Sequence, residues 1–151
     1  MENKTKEVAA LQNGTVIDHI PSDKLFKVVS ILKLDMVKNQ LTFGNNLKSS
    51  KLGTKGIIKV SDLFFEQKEI DKIALVAPCA KLSVIKNYDV VDKKSVRLSD
   101  EITDIVCCAN PKCITNNEPV PTKFYVVEKE SIRLKCGYCE RVFSDGELRM
   151  K

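Results

Sequence analysis

Hydrophobic and polar residues alternate along several short segments of the chain, and a period of two residues predicts β-strands. The first segment, Thr15 to Ile20, is rich in β-branched residues and is bounded by Gly14 and Pro21. Segments of this kind before residue 92 are 15–20, 40–47, 56–60, 81–86 and 88–91. Lys59 stands among the apolar residues of the third segment, which predicts either an edge strand or a contact with an anion.

Two longer segments carry apolar residues at intervals of three and four, which predicts helices. We expect Ser22 and Asp23 to cap the first helix, because short polar side chains bond to free N–H groups there. Its apolar face comprises Leu25, Val28, Val29 and Leu32, with Phe26 beside them, and the second helix, predicted over residues 63–76, has Phe64, Ile70, Ile73 and Ala74.

The order of these elements predicts the fold of the first unit. It is β-α-β-β-α-β with one further strand near Tyr88. That order is typical of a ferredoxin-like α+β fold, an antiparallel sheet with two helices on one face.

A second unit is expected after the segment 93–100, which is charged, lacks a hydrophobic period and is typical of a linker. We therefore divide the chain into residues 1–97 and 98–151. The alternating segments 123–128 and 131–136 predict a small all-β domain of the zinc-ribbon (rubredoxin-like) type. Such a unit has a marginal core, so a metal is expected to supply part of its folding free energy.

Two close pairs of cysteines predict a metal site in this second unit. Cys108 and Cys113 are separated by four residues, Cys136 and Cys139 by two, and twenty-two residues lie between the pairs. This is the spacing of a four-thiolate zinc site, in which no coordination position remains for water. We predict one structural Zn²⁺ per chain. Gly137 suits the shorter loop because glycine tolerates a positive φ.

The cysteine pattern leaves alternatives open. Four reduced thiols or two disulfides would also satisfy the spacing, although a cytosolic location disfavours disulfides. Cys107 precedes Cys108 and is a possible ligand in its place; otherwise it is expected to be a small buried residue. Cys79 has no cysteine near it in sequence, and we expect it to pack in the core.

Charge and composition favour a protein partner over nucleic acid. The chain has 151 residues and a net charge of +5, yet residues 101–151 contain eight basic and eight acidic residues. A zinc ribbon that binds nucleic acid usually carries the positive charge itself. Few aromatic residues (6%) and no Trp are present for stacking on bases. A zinc-ribbon nucleic-acid-binding protein remains the alternative hypothesis, although these features disfavour it.

Two further classes are disfavoured. A small zinc enzyme does not fit a closed metal shell and a single histidine without a nucleophile and base around it. The most apolar run, residues 73–80, is short and contains Pro78, and the first residues are polar. These features predict a cytoplasmic protein without a membrane span.

Several segments together resemble one known family. These are Gly-Thr-Val-Ile-Asp-His-Ile-Pro at 14–21, Leu-Val-Ala-Pro-Cys-Ala at 75–80, Asn-Tyr-Asp-Val-Val at 87–91 and the two cysteine pairs with Glu-Pro-Val at 118–120. In this order, over residues 8–144, they resemble the regulatory chain of aspartate carbamoyltransferase.

The resemblance implies a non-catalytic subunit in pyrimidine biosynthesis. In that family, an N-terminal allosteric domain binds nucleoside triphosphates and pairs with its copy in a regulatory dimer. A C-terminal zinc domain binds the catalytic chain, and the dimers bridge catalytic trimers. CTP, helped by UTP, is expected to inhibit, and ATP to activate.

The resemblance also implies the positions that bind the effector nucleotide. They are Leu11, Asp18, His19, Lys59, Ser83, Tyr88, Val90 and Lys93. Asp18 is expected at the ribose and Lys59 near the sugar and base. Lys93 is expected at the phosphates, because lysine serves phosphate as a mobile point charge. Leu11, Tyr88 and Val90 match positions that contact the base.

Contact with the catalytic chain is expected at Asn110, Lys112 and Glu140. Ser83 and Lys112 depart from the family pattern, which has asparagine at both positions. Asp92 places a carboxylate beside Lys93, which is expected to weaken triphosphate binding.

Without the resemblance, several of these residues have ordinary explanations. A lone histidine such as His19 is usually a plain strand residue, and Asp18 a solvated charge at a strand end. Composition alone favours Tyr88 as a core residue.

Overall fold

The computed structural model describes residues 11–151, apart from the side chain of Asp145. The polar first residues of the chain lie outside the described part. The chain divides into two compact units, with the boundary between Arg97 and Leu98. We describe each unit separately.

The first unit is a five-stranded antiparallel sheet with two helices. In chain order the elements are β1 (Gly14–Pro21), α1 (Leu25–Ile31), β2 (Leu41–Ser49), β3 (Gly53–Ser61), α2 (Gln67–Val76), β4 (Lys81–Lys86) and β5 (Asp89–Ser95). Strand β1 pairs with both β3 and β4, which gives the strand order β2-β3-β1-β4-β5. The α+β fold predicted from the element order is confirmed.

One face of this sheet forms the core. Ile17 pairs with Ile58 on one side and with Leu82 on the other, and all three side chains are at most 2% exposed. Both helices contribute buried apolar residues, including Leu25 and Val28 from α1 and Ile70, Ile73 and Ala74 from α2. Because side chains alternate along a strand, the residues next to these three strand positions lie on the opposite, open face.

Both helices begin differently from the prediction. Ser22 and Asp23 belong to a short 3-10 turn, and no side chain caps α1. The hydroxyl of Ser22 instead donates to Thr54 at 2.8 Å. Helix α2 begins at Gln67 rather than residue 63, where Glu66 forms a reciprocal capping box with Glu69.

Phe26 is 63% exposed, so its placement on the buried face of the first helix is wrong. Its ring lies edge-on against Phe43, with centroids 5.9 Å apart.

The linker predicted over residues 93–100 is also wrong in its first part. Residues 93–95 complete β5, and the N–H of Val96 donates to the carbonyl of Ala80 at 3.2 Å. Val96 and Leu98 are buried. Lys93 and Lys94 are therefore exposed residues of a strand rather than part of a linker.

The second unit contains only short strands and 3-10 turns. The strands are β6 (Glu101–Thr103), β7 (Val106–Cys107), β8 (Lys123–Glu128), β9 (Arg133–Cys136), β10 (Val142–Ser144) and β11 (Arg149–Met150). A four-stranded antiparallel sheet has the order β10-β9-β8-β6, and β11 pairs with β7. The small core centres on Phe124, Leu134 and Ile102. Over residues 11–151, no helix has the length and apolar character needed to cross a membrane.

Candidate functional site

The four predicted cysteine ligands converge in the second unit. The sulfur atoms of Cys108, Cys113, Cys136 and Cys139 all lie within 4.8 Å of one another. The Cys108–Cys139 and Cys113–Cys136 sulfur pairs are both 3.7 Å apart. A tetrahedral ion with metal–sulfur bonds of about 2.3 Å holds its sulfurs about 3.8 Å apart, whereas a disulfide bond is about 2.05 Å long. The cluster therefore fits a four-thiolate metal site and contains no disulfide.

Local backbone geometry shapes the shorter loop. Cys136 ends β9, and its sulfur accepts the N–H of Tyr138 at 3.4 Å. The N–H of Gly137 donates to the carbonyl of Lys123 at 2.7 Å, and a Cβ at residue 137 would lie 3.1 Å from that carbonyl oxygen. Glycine is therefore favoured at position 137, because the backbone there lies close to β8. The predicted positive φ is wrong for Gly137; it occurs at Glu140, with φ 65°.

The thiols differ in how readily they ionise. Burial raises the pKa of Cys108 and of Cys136. Burial also opposes ionisation of Cys139, but hydrogen bonds from the Arg141 backbone and the Asn110 side chain lower its pKa to about 7. Four neighbouring thiolates repel one another, so a bound cation is what allows all four to ionise together.

The remaining two described cysteines stand outside the cluster. Cys107 is partly exposed on β7, so Cys108 is the better-placed candidate ligand and the expected burial of Cys107 is wrong. Cys79 is exposed in the turn between α2 and β4, so the expected core packing is wrong there too.

Residues predicted to contact a catalytic chain lie on the metal loops. Asn110 and Lys112 are between the first two cysteines, and Glu140 follows the last. Lys112 and Glu140 are exposed. The side-chain oxygen of Asn110 accepts a hydrogen bond from the N–H of Lys112 at 3.1 Å, so this side chain also shapes its own loop.

In the first unit, three predicted effector residues share one line across the open face of the sheet. Val16 pairs with Lys59 on β3 and with Ser83 on β4, and Ser83 pairs with Lys93 on β5. Cross-strand partners point to the same face. Three strand spacings separate Lys59 from Lys93, about 14 Å in all. Strand β3 is internal, so the edge-strand explanation of Lys59 is wrong.

A polar cavity of about 340 Å³ adjoins Lys59. Leu11 and Tyr88, two more predicted effector residues, line it together with Gln40 and Asp62. Tyr88 is 64% exposed, so its assignment to the core from composition is wrong. Its N–H is held by the carbonyl of Gln12 at 2.9 Å. Val90, which is 56% exposed, pairs with Ile85 on β4 and does not line the cavity.

Asp18 and His19 form a second polar group at the far end of β1. The Asp18 carboxylate accepts the N–H of His19 at 2.6 Å and lies 3.0 Å from the Lys55 ammonium. His19 has φ 60° where the pairing of β1 with β3 shifts register. Burial, opposed by Asp18 and reinforced by Lys55, Lys81 and Lys51, lowers the pKa of this imidazole below 6.5.

Comparison with known proteins follows the same division of the chain. Residues 6–97 match the sequence model of the aspartate carbamoyltransferase regulatory chain, allosteric domain. Residues 100–149 match that of the aspartate carbamoyltransferase regulatory chain, metal binding domain. The chain belongs to the aspartate carbamoyltransferase regulatory chain family.

Relatives within this family align over nearly the whole sequence. The aspartate carbamoyltransferase regulatory chain of Bacteroides thetaiotaomicron is 58% identical over 141 residues, which cover 93% of this chain and 92% of that one. That of Parabacteroides distasonis is 51% identical over 150 residues (99% and 97%). That of Pyrococcus abyssi is 46% identical over 144 residues (94% and 95%). The predicted family and the assignment to a regulatory, non-catalytic chain are confirmed, and the nucleic-acid alternative is not favoured.

Lys55 was not among the residues predicted for the effector site. Lys55 lies on β3 and forms the ion pair with Asp18. Its spacing of four residues from Lys59 was an available signal, because a period of two places both on one face of a strand. The structure does not place the Asp92 carboxylate on the same face as the Lys93 ammonium. Asp92 pairs with Val84, on the opposite face, and lies 3.9 Å from Lys94.

Proposed function

We propose that this chain is an allosteric subunit that binds a nucleoside triphosphate on the open face of its N-terminal sheet. The observation that carries the proposal is the line from Lys59 through Ser83 to Lys93. Two ammonium groups on one face, with a polar cavity at one end, suit an elongated polyanion with a base. Its span of about 14 Å is comparable with such a ligand.

Each end of the line has a chemical role in this proposal. Lys93 binds phosphate oxygens as a mobile cation, and Lys59 binds nearer the sugar. The cavity around Lys59 and Tyr88 receives the nucleoside. Asp18 accepts hydrogen bonds from ribose hydroxyls, and its ion pair with Lys55 holds the carboxylate in position.

Effector identity follows the family resemblance. CTP and UTP inhibit and ATP activates, because each nucleotide binds the tense and relaxed states of the assembly unequally. Coupling free energies of this kind are typically about 1–3 kcal/mol. Two copies of the chain pair in a regulatory dimer, and the dimers bridge catalytic trimers in the cytoplasm.

The metal in this proposal is zinc. Four sulfur ligands at tetrahedral spacing suit Zn²⁺, and a closed shell makes its role structural. The loops that hold it present Asn110, Lys112 and Glu140 to the catalytic chain, so residues 98–151 act as the docking domain.

Two neighbouring lysines on β5 test the nucleotide site. Lys93→Ala removes an ammonium from the open face, whereas Lys94→Ala changes one on the opposite face. Isothermal titration of the full chain with CTP and ATP is expected to give a Kd raised tenfold to a hundredfold for Lys93→Ala. A charged hydrogen bond of about 1.5–3 kcal/mol has that effect. Lys94→Ala is expected to bind as the unchanged chain does.

Two results would count against the proposal. If the unchanged chain binds neither nucleotide, the nucleotide function fails. If both lysine variants bind equally well, the assignment of phosphate to Lys93 fails.

A further inference from the structure

The two halves of the metal site are supported in different ways. Cys136 belongs to β9, and its carbonyl accepts the N–H of Glu140 at 2.9 Å, so sheet and turn bonds hold the second pair. The loop from Cys108 to Cys113 belongs to no strand. It lies between β7 and a 3-10 turn, Ile114–Asn116. A six-residue loop needs other partners for its carbonyl groups.

Two asparagine side chains supply those partners. The amide of Asn116 donates to the carbonyls of Cys108, at 3.0 Å, and Asn110, at 2.7 Å. The amide of Asn117 donates to the carbonyls of Cys113, at 2.9 Å, and Pro111, at 3.3 Å. A side-chain amide carries two N–H groups. Each asparagine therefore uses its full donor capacity on this loop, and each binds the backbone of one ligand cysteine.

Thr115, the residue before them, contacts the sulfur itself. Its hydroxyl lies 3.2 Å from the sulfur of Cys113. A metal-bound thiolate has no proton to donate, so with the ion in place the hydroxyl is the donor. Such bonds to ligand atoms fix their orientation and tune the metal.

We propose that Thr115, Asn116 and Asn117 are positioning residues that hold Cys108 and Cys113 in place around the ion and thereby set how slowly the metal leaves. This inference rests on the proposed metal binding. The three side chains touch ligand residues without binding the ion. Without them, the first cysteine pair departs more easily, while the second pair remains on β9 and its turn.

Mutation of outer-shell partners typically changes metal affinity tenfold to a hundredfold. Asn116 and Asn117 are exposed, so truncating them leaves no cavity in the core. The full chain loaded with Zn²⁺ is mixed with a chromogenic chelator, and the half-life of release is measured. Asn116→Ala and Asn117→Ala are each expected to shorten it tenfold to a hundredfold, and the double variant further.

A matched control and a rescue distinguish positioning from general loosening. Glu118→Gln, at the next exposed position, is expected to leave the half-life unchanged. Thr115→Val removes the donor and is expected to speed release, whereas Thr115→Ser keeps the hydroxyl and restores the slow rate. With Co²⁺ in place of Zn²⁺, the thiolate charge-transfer bands should retain four-sulfur intensity in every variant.

Each outcome decides something. If the double asparagine variant and Thr115→Val release metal at the unchanged rate, the positioning role is wrong while metal binding stands. A purified chain that takes up no metal would overturn both. If the asparagine variants fail to fold, the Thr115→Val and Thr115→Ser pair alone gives the decision.

Discussion

At the scale of single residues, His19 is the most informative side chain because the chain has one histidine. Its imidazole lies beside the Asp18 carboxylate, with Nδ1 3.6 Å from Oδ2, and near lysines on neighbouring elements. Burial is the largest cause that holds its pKa below 6.5. The neutral form is therefore favoured in the folded chain. A bound triphosphate would reverse this balance, since an anion favours the protonated ring.

This gives a pH prediction with a definite sign. The folded state binds the His19 proton less tightly than the unfolded state, so the stability linked to His19 is present above about pH 6.5. It is lost as the pH falls through the lower pKa of the folded chain. Proton NMR of the single imidazole is expected to give a pKa below 6.5, and a higher one with ATP bound. His19→Gln should flatten the fall in urea midpoint between pH 7 and pH 5.5.

A free-chain pKa at or above 6.5 would contradict the burial argument. An unchanged pKa with ATP bound would separate His19 from the nucleotide site without affecting the fold.

At the scale of elements, the contact between β1 and β3 depends on one glycine. Gly14 has φ +142°, and a Cβ there would lie 2.0 Å from the carbonyl oxygen of Val60. Gly53 has φ +80° but nothing within 4 Å of such an atom. Both positions therefore carry backbone strain for another residue, and only Gly14 adds a collision with the backbone of the paired strand.

Alanine at the two glycines separates these effects. Gly53→Ala is expected to cost about 1–2 kcal/mol, the strain of a left-handed conformation. Gly14→Ala is expected to cost about 3 kcal/mol or more, because β1 and β3 must also move apart. Urea unfolding measures both differences. Equal losses would mean that the strands accommodate the methyl group without cost.

Prediction of elements from sequence succeeded where one face of a strand is buried. Ile17, Ile58 and Leu82 create the alternation that identified β1, β3 and β4. Strand β5 is exposed along its whole length, so its second half carried no such pattern and was assigned to a linker. The start of α2 failed for another reason. Leu63 has the helical spacing, but its carbonyl accepts the Thr15 hydroxyl at 2.6 Å outside any helix.

The metal site could be predicted from the sequence more completely than the nucleotide site, because local spacing along the chain determines only the first. Metal ligands have a fixed spacing within short loops, so Cys108 to Cys139 could be assigned from the sequence. The line from Lys59 to Lys93 joins four strands, and strand register across a sheet is not encoded in local spacing. The side-chain amides of Asn116 and Asn117 could not be predicted to support the metal site, because asparagine is common in ordinary turns.

At the scale of the whole molecule, the two units differ in what holds them together. Residues 14–95 form a five-stranded sheet with two helices over a buried apolar face. The second unit has strands of two to six residues. A domain of about fifty residues buries too little apolar surface to be secure alone. Structural zinc supplies about 10–16 kcal/mol of apparent binding free energy in small zinc domains, as much as the whole stability of a typical protein.

Removal of the metal should therefore unfold one unit and spare the other. Hydrogen exchange of the full chain with and without a strong chelator is expected to show lost amide protection in β8 and β9 and retained protection in β1, β3 and β4. Cys136→Ser should behave like the chelated chain, whereas Cys79→Ser, at an exposed cysteine outside the cluster, should keep its metal and its protection. Because the metal loops carry the proposed docking residues, copurification with a catalytic chain should fail for Cys136→Ser and persist for Cys79→Ser. Intact protection in β8 and β9 of a metal-free chain would show that Phe124 and its neighbours hold this unit without an ion.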